Sequence, residues 1–266
     1  MEQIITQNQN LKLKLIFKDN NFRFVNSGKL GLSLVLDYLK KFHNFNLKND
    51  EVFVPKYMGQ WIYSSLNQKS ITSPAFTKKT KVIYMYHQFG VPQKIDLIKK
   101  FSQENKTILI EDCAHVIGGN FDENINIGQV GDFTIFSFSK FIDCYLLGGI
   151  YSKDINFINY VDKTINASTK LQSLFNYFGL KLAYFLNEEN LIRKKIFNIN
   201  YSLYNFPSKH LNFIEKNFNK YIFKEIDLRI KRFNSLKQLS FKFEKMDFLK
   251  YDNLILYKLP LIVDQK

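Results

Sequence analysis

The stretch TILIEDCAHVIGGNFDENINIGQVGDFTIFSFSKFIDCYLLGGIY, Thr107 to Tyr151, decides how the rest of the chain is read. TILIED is an apolar run with the length of a buried strand, and it ends in paired carboxylates, Glu111 and Asp112, with His115 close behind. DFTIFSF is a second such run; it ends in Ser137, Lys140 follows, and Gly148 and Gly149 close the segment. Open α/β sheets bind ligands beyond the carboxyl ends of their strands. An acid, an imidazole, a hydroxyl and an amine gathered at that edge suit a small anionic cofactor.

Toward the amino terminus, DLIKKFSQENK reads as a helix and KVIYMYHQFGVPQ as a strand over Val82–Met85, with His87 and a turn at Gly90 after it. Strand, helix and strand at this spacing form a βαβ unit, so the sheet is expected to be largely parallel. EVFVP, Glu51 to Pro55, is a short buried strand ended by proline, and KYMGQWIYSSL after it looks helical. It holds the only tryptophan, Trp61; a lone tryptophan is more often core than a cofactor platform. In NNFRFVNSGKLGLSLVLDYLKKF, Ser27 and Gly28 precede a helical pattern that puts Leu32, Val35, Leu36 and Leu39 on one face. Ser27 can cap that helix, and a helix start is a ready phosphate site, although a plain cap explains the same residues. LKLKLIF, Leu11 to Phe17, alternates like a half-exposed strand.

Beyond Tyr151 the chain from Asn156 to Lys250 reads as mostly helical. Leu211 to Leu239 carries apolar residues at helical spacing, a face suited to core or to a dimer interface, and Leu254 to Lys266 resembles a strand. Residues 1–155 are expected to form an α/β domain and residues 156–266 a helical segment with a shortened small domain.

The chain has 266 residues, 45% hydrophobic and 23% charged, a globular balance with material for one sizeable core. A formal net charge of +14 favours anionic partners, but the lysines are spread rather than clustered, which weakens a nucleic-acid reading. Cys113 and Cys144 have no metal-type spacing and point to a reducing, cytoplasmic setting without a disulfide framework; no metal site is expected. The start of the chain lacks the apolar core of a signal peptide, and the longest apolar stretch, around Leu174 to Leu186, is broken by Lys181, so no membrane span is expected.

The order SGKLGL, VPKY, YHQFG, IEDCAH and GDFTIFSFSK, followed by the Gly-Gly pair, resembles the DegT/DnrJ/StrS sugar aminotransferases. The resemblance covers Phe24 to Tyr151 and extends faintly into LRIKRFNSL. It implies a three-layer α/β fold of the aspartate-aminotransferase type, with pyridoxal 5'-phosphate as cofactor. It also implies transfer of an amino group, with glutamate as donor, to a nucleotide-linked keto sugar in surface-polysaccharide synthesis, by a cytoplasmic homodimer. Carried over residue by residue, Asp112 pairs with the pyridine nitrogen, His115 packs near the ring, and Lys140 is the Schiff-base lysine. Ser27, Gly28, Lys29 and Ser137 bind the cofactor phosphate, and Trp61 or Tyr57 stacks on the ring. Two other readings stay open. One is a relative that keeps the fold without turnover, or a truncated gene product, and serves as a partner or regulatory subunit. The other is a basic RNA-binding or membrane-surface protein, which predicts steeply salt-dependent binding to polyanions and no cofactor.

Overall fold

The computed structural model of the chain describes residues 19–118, 126–142, 147–167 and 212–239, with scattered positions between 178 and 195. The strands expected at 11–17 and 254–266 lie outside the described residues, as does Cys144. In chain order the elements are β1 (Phe22–Val25), α1 (Gly28–Phe42), β2 (Glu51–Phe53), α2 (Gln60–Asn67), β3 (Ile71–Ser73) and β4 (Thr80–Tyr86). They continue as α3 (Ile95–Glu104), β5 (Ile108–Cys113), β6 (Phe133–Ser137), β7 (Gly148–Ser152), α4 (Ile155–Asn166) and α5 (Asn212–Leu239).

The strands form one sheet in the order β1-β7-β6-β5-β4-β2-β3. Pairing from β3 through β6 is parallel, whereas β7 is antiparallel to both of its neighbours. The sheet is therefore largely parallel, as the βαβ spacing predicts, with one reversed strand. The carboxyl ends of β1, β4, β5 and β6 consequently meet along a single edge, and β7 starts there.

Alternation along the strands sorts side chains onto two covered faces. Val82, Tyr84 and Tyr86 of β4, Ile110 of β5 and Ile135 of β6 pack with α1 and α4. Ile83, Met85, Leu109, Cys113 and Phe136 pack on the other side with α5. The layers are thus helix, sheet, helix. The predicted face of α1, Leu32, Val35, Leu36 and Leu39, is buried, and so are Leu30 and Leu34. Neighbours on more than one side explain this helix's wide apolar surface, each such side chain contributing about 1.5–3 kcal/mol on burial. Helix α5 uses Phe218, Ile222, Ile226, Ile230 and Phe233 in the same way, so that this face is core. Phe218 meets Phe24 and Phe138 edge-on, with centroids 4.9 and 4.8 Å away. Among the described residues no helix is long and apolar enough to cross a membrane.

Gly148 explains how α1 can start against the sheet. It is paired with Val25 on one side and Ser137 on the other. A Cβ at this position would stand 2.5 Å from the carbonyl carbon of Ser27 and 2.7 Å from the nitrogen of Gly28. Both are backbone atoms that a rotamer change would not move aside. Gly148→Ala is expected to lower stability by about 1–3 kcal/mol, the cost of overpacking a filled site, read as a fall in denaturation midpoint with an unchanged denaturant slope.

Candidate active site

Asp112 and Glu111 are neighbours in sequence and part company in space, because adjacent strand residues point to opposite faces. Glu111 turns toward the α5 side, where it is fully buried. Its Oε1 accepts from His87 Nε2 at 3.1 Å and Gly128 N at 2.8 Å, and its Oε2 accepts from Val130 N, Gly131 N and the Thr134 hydroxyl. Burial alone would raise this carboxyl, but the His87 hydrogen bond, the electrostatic pull of His87 and the two glycine amides outweigh it and hold Glu111 below its ordinary value. His87 Nδ1 accepts from Gln93 N at 3.3 Å, which leaves Nε2 as the donor to Glu111. His87, Glu111 and Cys113 bring three potential ligand atoms within 4.8 Å. The carboxylate and the imidazole are already committed to protein groups, and burial pushes the Cys113 thiol well up. The cluster is a structural tie between β4, β5 and the 128–131 turn.

Asp112 faces the other way, into a cavity of about 400 Å³ at the carboxyl edge. It is 3% exposed. The Tyr84 hydroxyl donates to its Oδ2, and Ala114 N donates to its Oδ1 at 2.7 Å. Burial pushes its carboxyl above the ordinary value, against the opposing pull of Lys140, of the Tyr84 hydrogen bond and of the Ala114 amide. A buried anion of this kind is incomplete without a cation close by.

Lys140 ends the short 3-10 turn Phe138–Lys140 that follows β6, and it lines the same cavity half-buried. Ser137 lines it from the end of β6, and Ser27, Gly28 and Lys29 from the start of α1. Ser27 is the N-cap of that helix, its hydroxyl oxygen accepting from Leu30 N at 3.1 Å. The hydroxyls and the positive end of a 15-residue helix therefore share one cavity with Asp112 and Lys140.

The only tryptophan is not core. Helix α2 buries only Leu66, and Trp61, 65% exposed, lines the cavity with the Lys29 ammonium 5.1 Å from its ring centroid. Tyr57 is 73% exposed and lies outside the lining residues, under the Lys56 ammonium at 5.6 Å. His115 also falls outside them. It takes a 2.8 Å hydrogen bond with the Tyr86 hydroxyl, accepts from Phe89 N and stacks parallel to the Phe89 ring. Seven of the nine residues singled out in sequence thus share one cavity, and Tyr57 and His115 stand apart from it. Sequence reading overlooked Tyr84. The signal was the alternation in KVIYMY, which places Tyr84 on the face that Asp112 also occupies.

Residues 65–154 match the DegT/DnrJ/EryC1/StrS aminotransferase family. This DegT/DnrJ/EryC1/StrS segment runs from α2 to the end of β7 and contains Asp112, Ser137 and Lys140. An uncharacterized protein of Methanocaldococcus jannaschii is 39% identical over 64 residues, 24% of this chain and 16% of its own length. The fold is that of E. coli GDP-4-keto-6-deoxy-D-mannose-3-dehydratase, solved with bound hydrated PLP. That structure aligns at a TM-score of 0.50 and 21% identity, over 64% of this chain and 48% of that one. DesI, solved in the presence of its TDP-sugar product, aligns at 0.49 and 17% identity, over 60% and 44%. The chain spans less than half the length of each of these relatives.

Proposed function

We propose that the cavity holds pyridoxal 5'-phosphate and that the protein transfers an amino group from an amino acid, glutamate, to a nucleotide-linked keto sugar destined for surface polysaccharide. The observation that carries this reading is Asp112, a buried carboxylate at the cavity with an amine, Lys140, near enough to offset its charge. The donor set fits the cofactor. Its phosphate would lie against Ser27, Ser137 and the first turn of α1, its ring nitrogen at Asp112 and its carbonyl carbon at Lys140. Pyridoxal phosphate supplies an electron sink at the carbon that gains or loses the amine.

The side chains of this protein do the rest. The Asp112 anion would keep a proton on the ring nitrogen. Lys140 Nζ would hold the cofactor and would be the base placed to carry a proton between the reacting carbons. Trp61 lines the cavity and offers its ring to the cofactor. The Lys29 ammonium at Trp61 and the surplus of positive charge suit a substrate bearing a diphosphate. The division of the chain near residue 155, the homodimer and the cytoplasmic setting belong to the same proposal.

The test is a titration of the purified protein with pyridoxal 5'-phosphate, followed by borohydride reduction and peptide mass mapping. One equivalent of reduced adduct is expected, on Lys140. Adduct scattered over surface lysines, or none, overturns the reading. Specific adduct without glutamate-dependent amination of any keto-sugar nucleotide selects the non-catalytic partner instead.

A further inference from the structure

Tyr84 is 3% exposed, and its face of β4 is otherwise apolar up to Tyr86, with Val82 before it and Ile110 opposite. Packing alone would be met by phenylalanine; a buried phenol costs free energy unless its proton is placed. Its hydroxyl donates to Asp112 Oδ2. In the parallel register Tyr84 stands opposite Ile110 and Tyr86 opposite Asp112, so the phenol reaches one pleat forward, within the diagonal range of an aromatic side chain. The other carboxylate oxygen is held by Ala114 N at 2.7 Å. Two donors from two different elements, one on each oxygen, prevent the carboxylate from turning about its Cβ–Cγ bond.

The geometry points to Tyr84 as a positioning residue, which fixes the Asp112 carboxylate so that it meets the ring nitrogen of the bound cofactor in one orientation. This rests on the pyridoxal phosphate reading above. Tyr84 itself takes no proton and touches no reacting atom; it acts through Asp112. A charge-assisted bond made in a dry site is lost when the hydroxyl is removed, and the freed carboxylate then reorients or becomes neutral.

The experiment compares equilibrium binding of pyridoxal 5'-phosphate with that of its carbocyclic analogue, in which C–H replaces the ring nitrogen. Wild type, Tyr84→Phe, Asp112→Asn and the double variant are measured. Tyr84→Phe deletes one oxygen and keeps the ring in place. It is expected to weaken pyridoxal phosphate binding roughly 10- to 100-fold, the range of one charge-assisted hydrogen bond, and to leave analogue binding unchanged. In the Asp112→Asn background the same change is expected to have no further effect. Tyr38→Phe removes a buried phenol bonded to Asp154 and is expected to alter neither affinity. Equal losses for both ligands, or no loss, overturn the inference and leave the cofactor reading standing. Wild type that binds neither ligand overturns the cofactor reading and the inference together.

Discussion

Lys140→Ala is expected to lower amino transfer by at least about 10²–10⁴-fold, the contribution of a positioned proton-transfer group. The variant should also lose the borohydride-reducible adduct at this position; Lys29, the other lysine lining the cavity, lies at the start of α1 beside the Trp61 ring. The lysine is half-buried on a short turn rather than packed in the core, so the melting temperature should change little. The charge pattern adds a second readout. Lys140 is the largest electrostatic influence holding the buried Asp112 carboxyl down, so removing it should drive that carboxyl further above its ordinary value. A small primary amine added to the solution is expected to restore part of the activity by entering the space left behind. Undiminished turnover in Lys140→Ala, measured as glutamate-dependent amination, would remove Lys140 from the proposed catalytic role while leaving the fold intact.

Glu111→Gln is expected to destabilise the fold by about 1–3 kcal/mol or more, the cost of leaving buried donors without their charged acceptor. The amide keeps one acceptor and turns the other position into a donor, facing amides and an imidazole that also donate. The same carboxylate governs acid stability. Its folded value is held below the ordinary 4.5, so its stabilisation is fully present above that value and is lost as pH falls through the depressed one. Asp112 has the opposite sign: its raised carboxyl costs stability as pH rises through it, until a cation occupies the cavity. Melting temperature against pH should therefore fall on the acid side in wild type and run flatter, from a lower start, in Glu111→Gln. An unchanged acid limb would show that Glu111 is not the controlling group.

The strands that carry the site were legible because their residues are apolar and bounded by polar ends. TILIED and DFTIFSF became β5 and β6, and the cap at Ser27 became the start of α1. β1, β3 and β7 were not legible: FRFV, ITS and GGIYS are only three to five residues long, and the last begins with two glycines, which are poor strand formers in isolation. Their pairing is decided by distant partners. The pair Glu111–Asp112 reads in sequence as one acidic cluster, yet the period of two in a strand sends one to a structural tie and the other to the cavity. Trp61 was legible as a site candidate only through the resemblance, since a lone tryptophan by itself favours core, and it does line the cavity. Its helix buries only Leu66, so the indole has the Lys29 ammonium for company instead of a core.

The pairing of Phe22 with Tyr151 also bears on the order in which the sheet assembles. The turn bearing Ser27 joins the sheet across almost half the chain, and such distant closures come late and slowly. A nascent chain that has not yet presented β7 would own Asp112 and Lys140 without a phosphate cradle. A ligand that binds only the finished sheet then pulls assembly forward by mass action, about 2.7 kcal/mol at a hundredfold excess over its dissociation constant. Cofactor supply during synthesis would thus influence the yield of folded protein as well as its activity.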